Sequence, residues 1–256
     1  MSTTTNKAFW RSSNPTLNTK IFNQTSQQYA GAEPMTVGGA ISKTAFLLLL
    51  LIVSAAYVWM QFIGVQQPTG LMPYLLVGAI GGLVVALIVV FKPTTAPYLS
   101  PVYALLEGVM IGAISSLLET RFPGIVLQAV GLTFGTLIVM LAAYRSGLIK
   151  ATEKFKMGVV AATGAIFLVY LASFILGFFG IAIPLINSSG TFGIIFSLVV
   201  VVIAALNLVL DFDLIESGAK MGAPKFMEWY AAFGLLVTLV WLYLEILRLL
   251  SKILRR

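Results

Sequence analysis

Three carboxylic acids lie inside long apolar stretches of this sequence, at Glu107, Asp211 and Glu245. A charge at the centre of a bilayer costs about 2.5–3.5 kcal/mol on insertion scales, so acids in such stretches are candidates for function. The chain has no histidine and no cysteine. Any proton chemistry therefore falls to carboxylates. Any metal binding falls to oxygen ligands, which favour hard cations such as calcium.

Two of the acids stand out by their surroundings. Glu107 has no cation within helical reach, so it is either a functional acid or a neutral one hydrogen-bonded to a neighbouring backbone. Asp211 shares a helix face with Asn207, four residues earlier. Asp213 points elsewhere and also fits the end of a span, where acids meet water. We interpret Glu107 and Asp211 as functional residues.

The other acids have stronger structural interpretations. Glu245 and Arg248 are three residues apart and could simply pair near the end of a span. Glu119 lies near Arg121, and Glu228 precedes an aromatic pair. We therefore expect Glu119 and Glu228 at the membrane interface.

Seven apolar blocks carry these acids, each near the roughly 20 residues that cross a hydrocarbon core of about 30 Å. Irregular backbone exposed to lipid is excluded, so the blocks are predicted to be helices. They lack the alternation of apolar and polar residues that barrel strands need. The predicted spans are 44–65, 71–91, 98–118, 124–144, 157–179, 192–210 and 229–247.

Composition supports the same fold class. Hydrophobic residues make up 59% of the chain and charged residues 10%, against about 25% charged in an average soluble domain. So few charges exclude a water-soluble fold. We predict an all-α polytopic membrane protein, with a polar flexible tail at 1–43, a transmembrane domain at 44–250 and a short basic tail at 251–256.

Basic residues give the orientation. The net charge is +7, and eleven of the sixteen basic residues fall on one side if the N-terminus is cytoplasmic. Seven crossings then leave four basic residues at the C-terminal end on the other side. Either this end is an exception to the rule or one block re-enters without crossing. Basic residues placed between apolar blocks indicate lipid headgroups rather than nucleic acid.

Three glycine pairs have the spacing of close helix contacts. A small residue every fourth position lets two helix backbones approach in a membrane. We predict helix–helix contacts at Gly78 with Gly82, Gly108 with Gly112, and Gly131 with Gly135.

The order of several short motifs resembles the transmembrane Bax inhibitor motif family, also called the Bax inhibitor-1 family, and its bacterial branch most closely. The resemblance covers about residues 44–250. It rests on ALLEG at 104–108, on LD at 210–211 followed by Ile215, and on LYLE at 242–245. The block from Glu228 to Arg248 is its most specific part.

The resemblance implies a pH-sensitive calcium leak channel with six helices around a central seventh. By motif, its gate would be a carboxylate pair of Asp211 and Glu245. Two features depart from the family: Glu245 stands where an Asp is usual, and the connection between the two acids is longer. Glu107, Asn207 and Asp213 would line the ion pathway. Calcium would bind transiently at Asp211, Glu245 and Glu107, and the location would be a bacterial inner membrane.

One alternative is a scaffold that conducts nothing and binds another membrane protein, such as a protease, through its N-terminal tail. An enzyme is not expected, since the Gly-x-Gly-Asp motif of presenilin-type proteases and the phosphate-binding fingerprints are absent. Serine-type intramembrane proteolysis usually needs a histidine base. No cofactor is expected beyond transient calcium.

Overall fold

The computed structural model describes residues 33–64, 70–180 and 188–255. Each of its seven long helices is long and apolar enough to cross a bilayer. This confirms the prediction of an all-α protein with seven candidate spans. The helices are α1 (Val37–Phe62), α2 (Leu71–Phe91), α3 (Ala96–Arg121), α4 (Ile125–Arg145), α5 (Glu153–Phe178), α6 (Thr191–Lys220) and α7 (Met227–Leu254).

Helix α2 matches the predicted bounds, whereas several other helices are longer than predicted. Helix α1 begins seven residues early because the Thr36 hydroxyl accepts a hydrogen bond from the Gly39 N–H and caps the first turn. Those seven residues belong to the predicted tail at 1–43, whose first 32 positions lie outside the described residues. Helix α6 continues ten residues past the predicted end, and α7 includes part of the predicted basic tail.

Helix α7 is the most deeply buried of the seven. It packs against α1, α3, α4 and α6. Its buried residues follow one another almost without a break from Met227 to Val240. A helix that is apolar and buried on most sides belongs to the interior of a bundle. The predicted ring of six helices around α7 stays a prediction.

The first and last helices have their outer ends at opposite ends of the bundle. Ahead of α1, the Met35 N–H donates to the Ala223 carbonyl in the α6–α7 connection at 2.6 Å. At the other end, Lys252 of α7 donates to the Gly193 carbonyl at the start of α6 at 3.0 Å. The start of α1 and the end of α7 therefore lie at opposite ends, as seven crossings require.

Glycines set the contacts of α3 with α1 and α2. A Cβ on Gly108 would overlap the Leu51 carbonyl of α1, and one on Gly112 would overlap the Ala55 carbonyl. A Cβ on Gly78 of α2 would lie 2.7 Å from the Leu106 carbonyl. These two predicted glycine contacts are confirmed.

The third predicted contact is wrong within the described chain. A Cβ on Gly131 or Gly135 would have no atom within 4 Å among the atoms considered outside its own helical turn. Both glycines lie on an exposed face of α4, so their spacing alone did not indicate a partner helix in this chain.

Candidate functional site

The three intramembrane acids are all buried in the helix bundle. The exposed fraction is 8% for Glu107, 0% for Asp211 and 2% for Glu245. Asn207, one turn before Asp211 on α6, is 5% exposed. The surrounding helices enclose all four side chains. Their burial keeps them candidates for function.

One face of α5 carries the polar partners of α6 and α7. Lys156, Val159, Thr163, Ile166 and Tyr170 follow one another at steps of three and four residues, so they share one helix face. Three of them, Lys156, Thr163 and Tyr170, are polar and lie two helical turns apart. Each bonds to α6 or α7 at a different depth. We call these contacts the polar seam.

The first contact of the seam is an ion pair. It lies at the end of the bundle where α5 and α7 begin and α6 ends. Lys156 Nζ lies 2.8 Å from Asp213 Oδ2. The Tyr144 hydroxyl of α4 donates to Glu216 Oε2 at 2.6 Å and lies 3.5 Å from Asp213 Oδ1. Asp213 is therefore an ion-paired residue at one end of the bundle.

The middle contact joins two uncharged side chains. Asn207 Nδ2 donates to Thr163 Oγ1 at 2.9 Å and to the Ile203 carbonyl at 2.8 Å. Asp211 follows one turn later on α6 and is fully buried. The middle of the seam thus holds an amide and a hydroxyl, and Asp211 lies along α6 between this level and that of the Lys156–Asp213 pair.

The third contact surrounds Glu245 of α7. The Tyr170 hydroxyl lies 3.0 Å and 2.9 Å from its two oxygens. Arg248 Nη1 lies 2.8 Å from Glu245 Oε1, and the guanidinium is 4.8 Å from the centre of the Tyr170 ring. The pairing of Glu245 with Arg248 is confirmed. Glu245 is thus bound to α5 as well as to its own helix.

Beyond Glu245, a buried lysine connects α7 to the start of α6. Lys252 is 5% exposed, and its Nζ donates to Ser197 Oγ at 2.8 Å. It also donates to a backbone carbonyl of α6. Arg248 and Lys252 therefore both make contacts within the fold.

Asp211 and Glu245 lie at different depths. Helices α6 and α7 are antiparallel, and the Lys252–Ser197 contact places Asp211 level with about Thr238. Glu245 is seven residues further along α7, or about 10 Å at 1.5 Å per residue. If the two helices are instead aligned from the short α6–α7 connection, the separation of the two acids along the helix axis is about 13 Å. A shared proton between the two acids stays a prediction, and the helix register favours two separate positions.

Glu107 lies apart from the polar seam, at the contact of α2 and α3. Gly82 of α2 leaves room for it, since a Cβ there would be 2.8 Å from Glu107 Oε1. Its Oε2 is buried and has no hydrogen-bond partner among the described residues. The Tyr103 ring, one turn earlier, packs edge-on against Phe233 of α7 at 4.8 Å between centroids.

The predicted calcium ligands do not form one site. Within residues 33–64, 70–180 and 188–255, no group of three or more acids is placed to hold a metal ion. Transient calcium contact at Asp211, Glu245 or Glu107 separately stays a prediction.

The expected position of Glu228 at the membrane interface stays a prediction, and the structure places this acid in the first turn of α7. Its side chain is fully buried and pairs with Lys43 of α1. It also accepts the Thr36 N–H at 2.8 Å and the Thr36 hydroxyl at 3.1 Å. A carboxylate at a helix N-terminus is stabilised by the free N–H groups there. Nearby, a hydrogen bond to the Glu33 carboxylate raises the pKa of Lys225.

Sequence reasoning missed the α5 residues of the polar seam. A search for acids passes over Lys156, Thr163 and Tyr170, because none is acidic and Tyr and Thr are common in apolar spans. Their spacing of seven residues was the available signal, since it puts polar groups on one face of an otherwise apolar helix.

A protein-family comparison covers nearly the whole chain. Residues 14–255 match the family model described as Bax inhibitor 1 like. The chain belongs to this family. The comparisons found no matching curated protein and no matching solved structure.

The Bax inhibitor 1 like family is one of membrane proteins, and it is not known for enzymatic activity. Membership confirms the family that the order of the short motifs indicates. It also agrees with seven apolar helices in a lipid bilayer.

Proposed function

We propose that this member of the Bax inhibitor 1 like family is a pH-sensitive cation leak channel in a bacterial inner membrane, with its N-terminus in the cytoplasm and calcium as the main cation. The polar seam carries the proposal. It provides polar side chains at three depths between α5, α6 and α7. Such groups are costly in hydrocarbon, and they are typical of ion pathways.

Helix α5 is the element that moves in this proposal. Only Lys156, Val159 and Ile166 of its residues are buried, so little apolar packing holds it against the bundle. Displacing α5 exchanges the bonds of the seam for water. Oxygen atoms of Asn207, Asp211 and Glu245 then face that water, and such oxygen ligands suit calcium.

Glu245 is the pH-sensitive group of this path. In its charged form it attracts Arg248 and accepts a hydrogen bond from Tyr170, which connects α7 to α5. A proton on Glu245 removes the charge that Arg248 pairs with and weakens this connection. The pathway therefore opens as the pH falls.

A carboxylate pair would respond in the opposite direction. If Asp211 and Glu245 shared one proton, losing it would replace a hydrogen bond by repulsion between like charges. The helices would then separate as the pH rises. The sign of the pH response therefore distinguishes the two arrangements of the gate.

The test is calcium flux into proteoliposomes that hold the purified full-length protein, measured across a pH series. We expect Glu245→Gln to conduct at neutral pH as the wild type does in acid, and to lose its pH response. Asp211→Asn lowers flux at every pH because it removes a charge from the path. The matched control is Glu33→Gln, which changes an exposed acid outside the seam.

Two results would contradict the proposal in different ways. Greater opening at high pH, lost in both acid variants, would favour the shared proton. Unchanged flux and unchanged pH response in both variants would exclude these acids from conduction and leave the scaffold interpretation.

A further inference from the structure

A cavity of about 230 Å³ lies between α1, α3, α4 and α7, on the side of α7 that faces α1 and α4. It is separate from the polar seam. Its opening is lined by Ile52 and Val130, which are 46% and 36% exposed on the lipid-facing surface. Its inner wall is formed by Ile111, Leu236 and Leu239, which are buried. The cavity therefore leads from the surrounding bilayer towards the core.

Three polar side chains stand at one end of this otherwise almost entirely apolar cavity. Trp59 lines it, and the Trp59 Nε1–H is buried without an acceptor among the described residues. Ser115 Oγ and the Tyr243 hydroxyl, also on the wall, are 2.7 Å apart. That bond uses one of their two hydroxyl hydrogens. A buried donor without an acceptor costs about 1–3 kcal/mol, so a turn of the Trp59 ring that brings its N–H to the cavity surface would let an outside acceptor stabilise it.

The polar groups share one depth. Gly112 of α3 packs on Ala55 of α1, and the two helices run in the same direction, so Ser115 is level with about Trp59. Trp59 is three residues before the end of α1, or about 5 Å from it. The opposite end, at Leu48, is about 16 Å deeper along α1 and entirely apolar. Tryptophan at this position is typical of the headgroup boundary.

We propose that this cavity binds one acyl chain of a phospholipid from the surrounding bilayer. The chain lies along the apolar wall from Trp59 to Leu48. Its ester carbonyl accepts the Trp59 N–H at the polar end. An apolar tail with one hydrogen-bond acceptor at the headgroup boundary matches both ends of the cavity, and the opening admits it directly from the membrane.

The first test is photo-crosslinking of the purified full-length protein in nanodiscs. A phosphatidylcholine with a diazirine in its acyl chain should label peptides that contain Ile111 or Leu236, which no lipid reaches from outside the cavity. Ala56→Phe, which changes a small residue of the cavity wall, should reduce this labelling about tenfold, since overpacking excludes the chain. Ala45→Phe makes the same change on an exposed part of α1 outside the cavity and should leave it unchanged.

The second test addresses the hydrogen bond. Unlabelled ester-linked phosphatidylcholine should compete with the diazirine lipid about five times more strongly than its ether-linked analogue does, because only the ester has the carbonyl acceptor. Trp59→Phe should remove this preference. No labelling of the inner wall in the wild type, or equal labelling in Ala56→Phe, would overturn the proposal. Displacement by free fatty acid but not by phospholipid would overturn the assignment to phospholipid.

Discussion

Two groups of helices in this protein are joined in opposite ways. Around α3, glycines bring backbones so close that a single added carbon would overlap a carbonyl of α1. Around α5, side chains connect the helices through hydrogen bonds and one ion pair. Dispersion contacts between close backbones cannot be exchanged for water, whereas polar contacts can. The glycine contacts thus suit a fixed scaffold, and the polar seam suits an element that moves.

The largest effect should come from adding a side chain at Gly112, where the backbones of α1 and α3 are in close contact. Gly112→Val places a branched side chain against the Ala55 carbonyl, so the free energy of unfolding should fall by about 3 kcal/mol. Thermal unfolding in detergent measures it. Gly131→Val is the matched control on an open face of α4, and should change stability by less than about 0.5 kcal/mol. Equal losses in both variants would mean that the α1–α3 contact contributes little.

An intermediate effect is expected at the ion pair of the polar seam. Lys156→Met leaves Asp213 without its 2.8 Å partner and should lower the free energy of unfolding by about 1–2 kcal/mol. The double variant with Asp213→Asn should recover part of this loss, because no charge then lacks its partner. Strictly additive losses in the two single variants would show that the pair is not coupled.

The smallest effect on stability is expected in the middle of the seam. Thr163→Val removes the hydrogen bond from Asn207 and should cost about 0.6 kcal/mol, the average for such bonds in membranes. Hydrogen–deuterium exchange of α5 should nevertheless become faster. In the control Thr133→Val, the lost bond is to the preceding turn of the same helix, so exchange of α5 should not change. A loss as large as that of Gly112→Val would remove the contrast between the two regions.

Helix number and class were predictable because the bilayer imposes one length and one backbone structure on every span. The ends were less predictable. The pattern of apolar residues predicts that the sixth span ends at residue 210, because the acids Asp213 and Glu216 beyond it are typical of the end of a span. They remain helical because Lys156 and Tyr144 on other helices bind them. Such partners follow from the fold and cannot be inferred from local composition.

The candidate site was predictable only in part. The sequence predicts that Glu107, Asp211 and Glu245 are special, because an acid in an apolar span is rare. It does not show that Glu245 is bonded to Tyr170 of another helix, or that Glu107 lies away from the other two. Distances between helices depend on packing that the pattern of one helix does not encode. The period of seven in α5 was visible, but its meaning required the neighbouring helices.

The ion pair of Lys43 with Glu228 has a consequence for biosynthesis. Lys43 belongs to the first span to leave the ribosome, while its counter-charge is made 185 positions later, at the start of the last span. Until then, the lysine lacks this acidic partner. The start of the first helix therefore reaches its final contacts only after the last helix is made, and a chain that ends before residue 228 should lack the connection between the two.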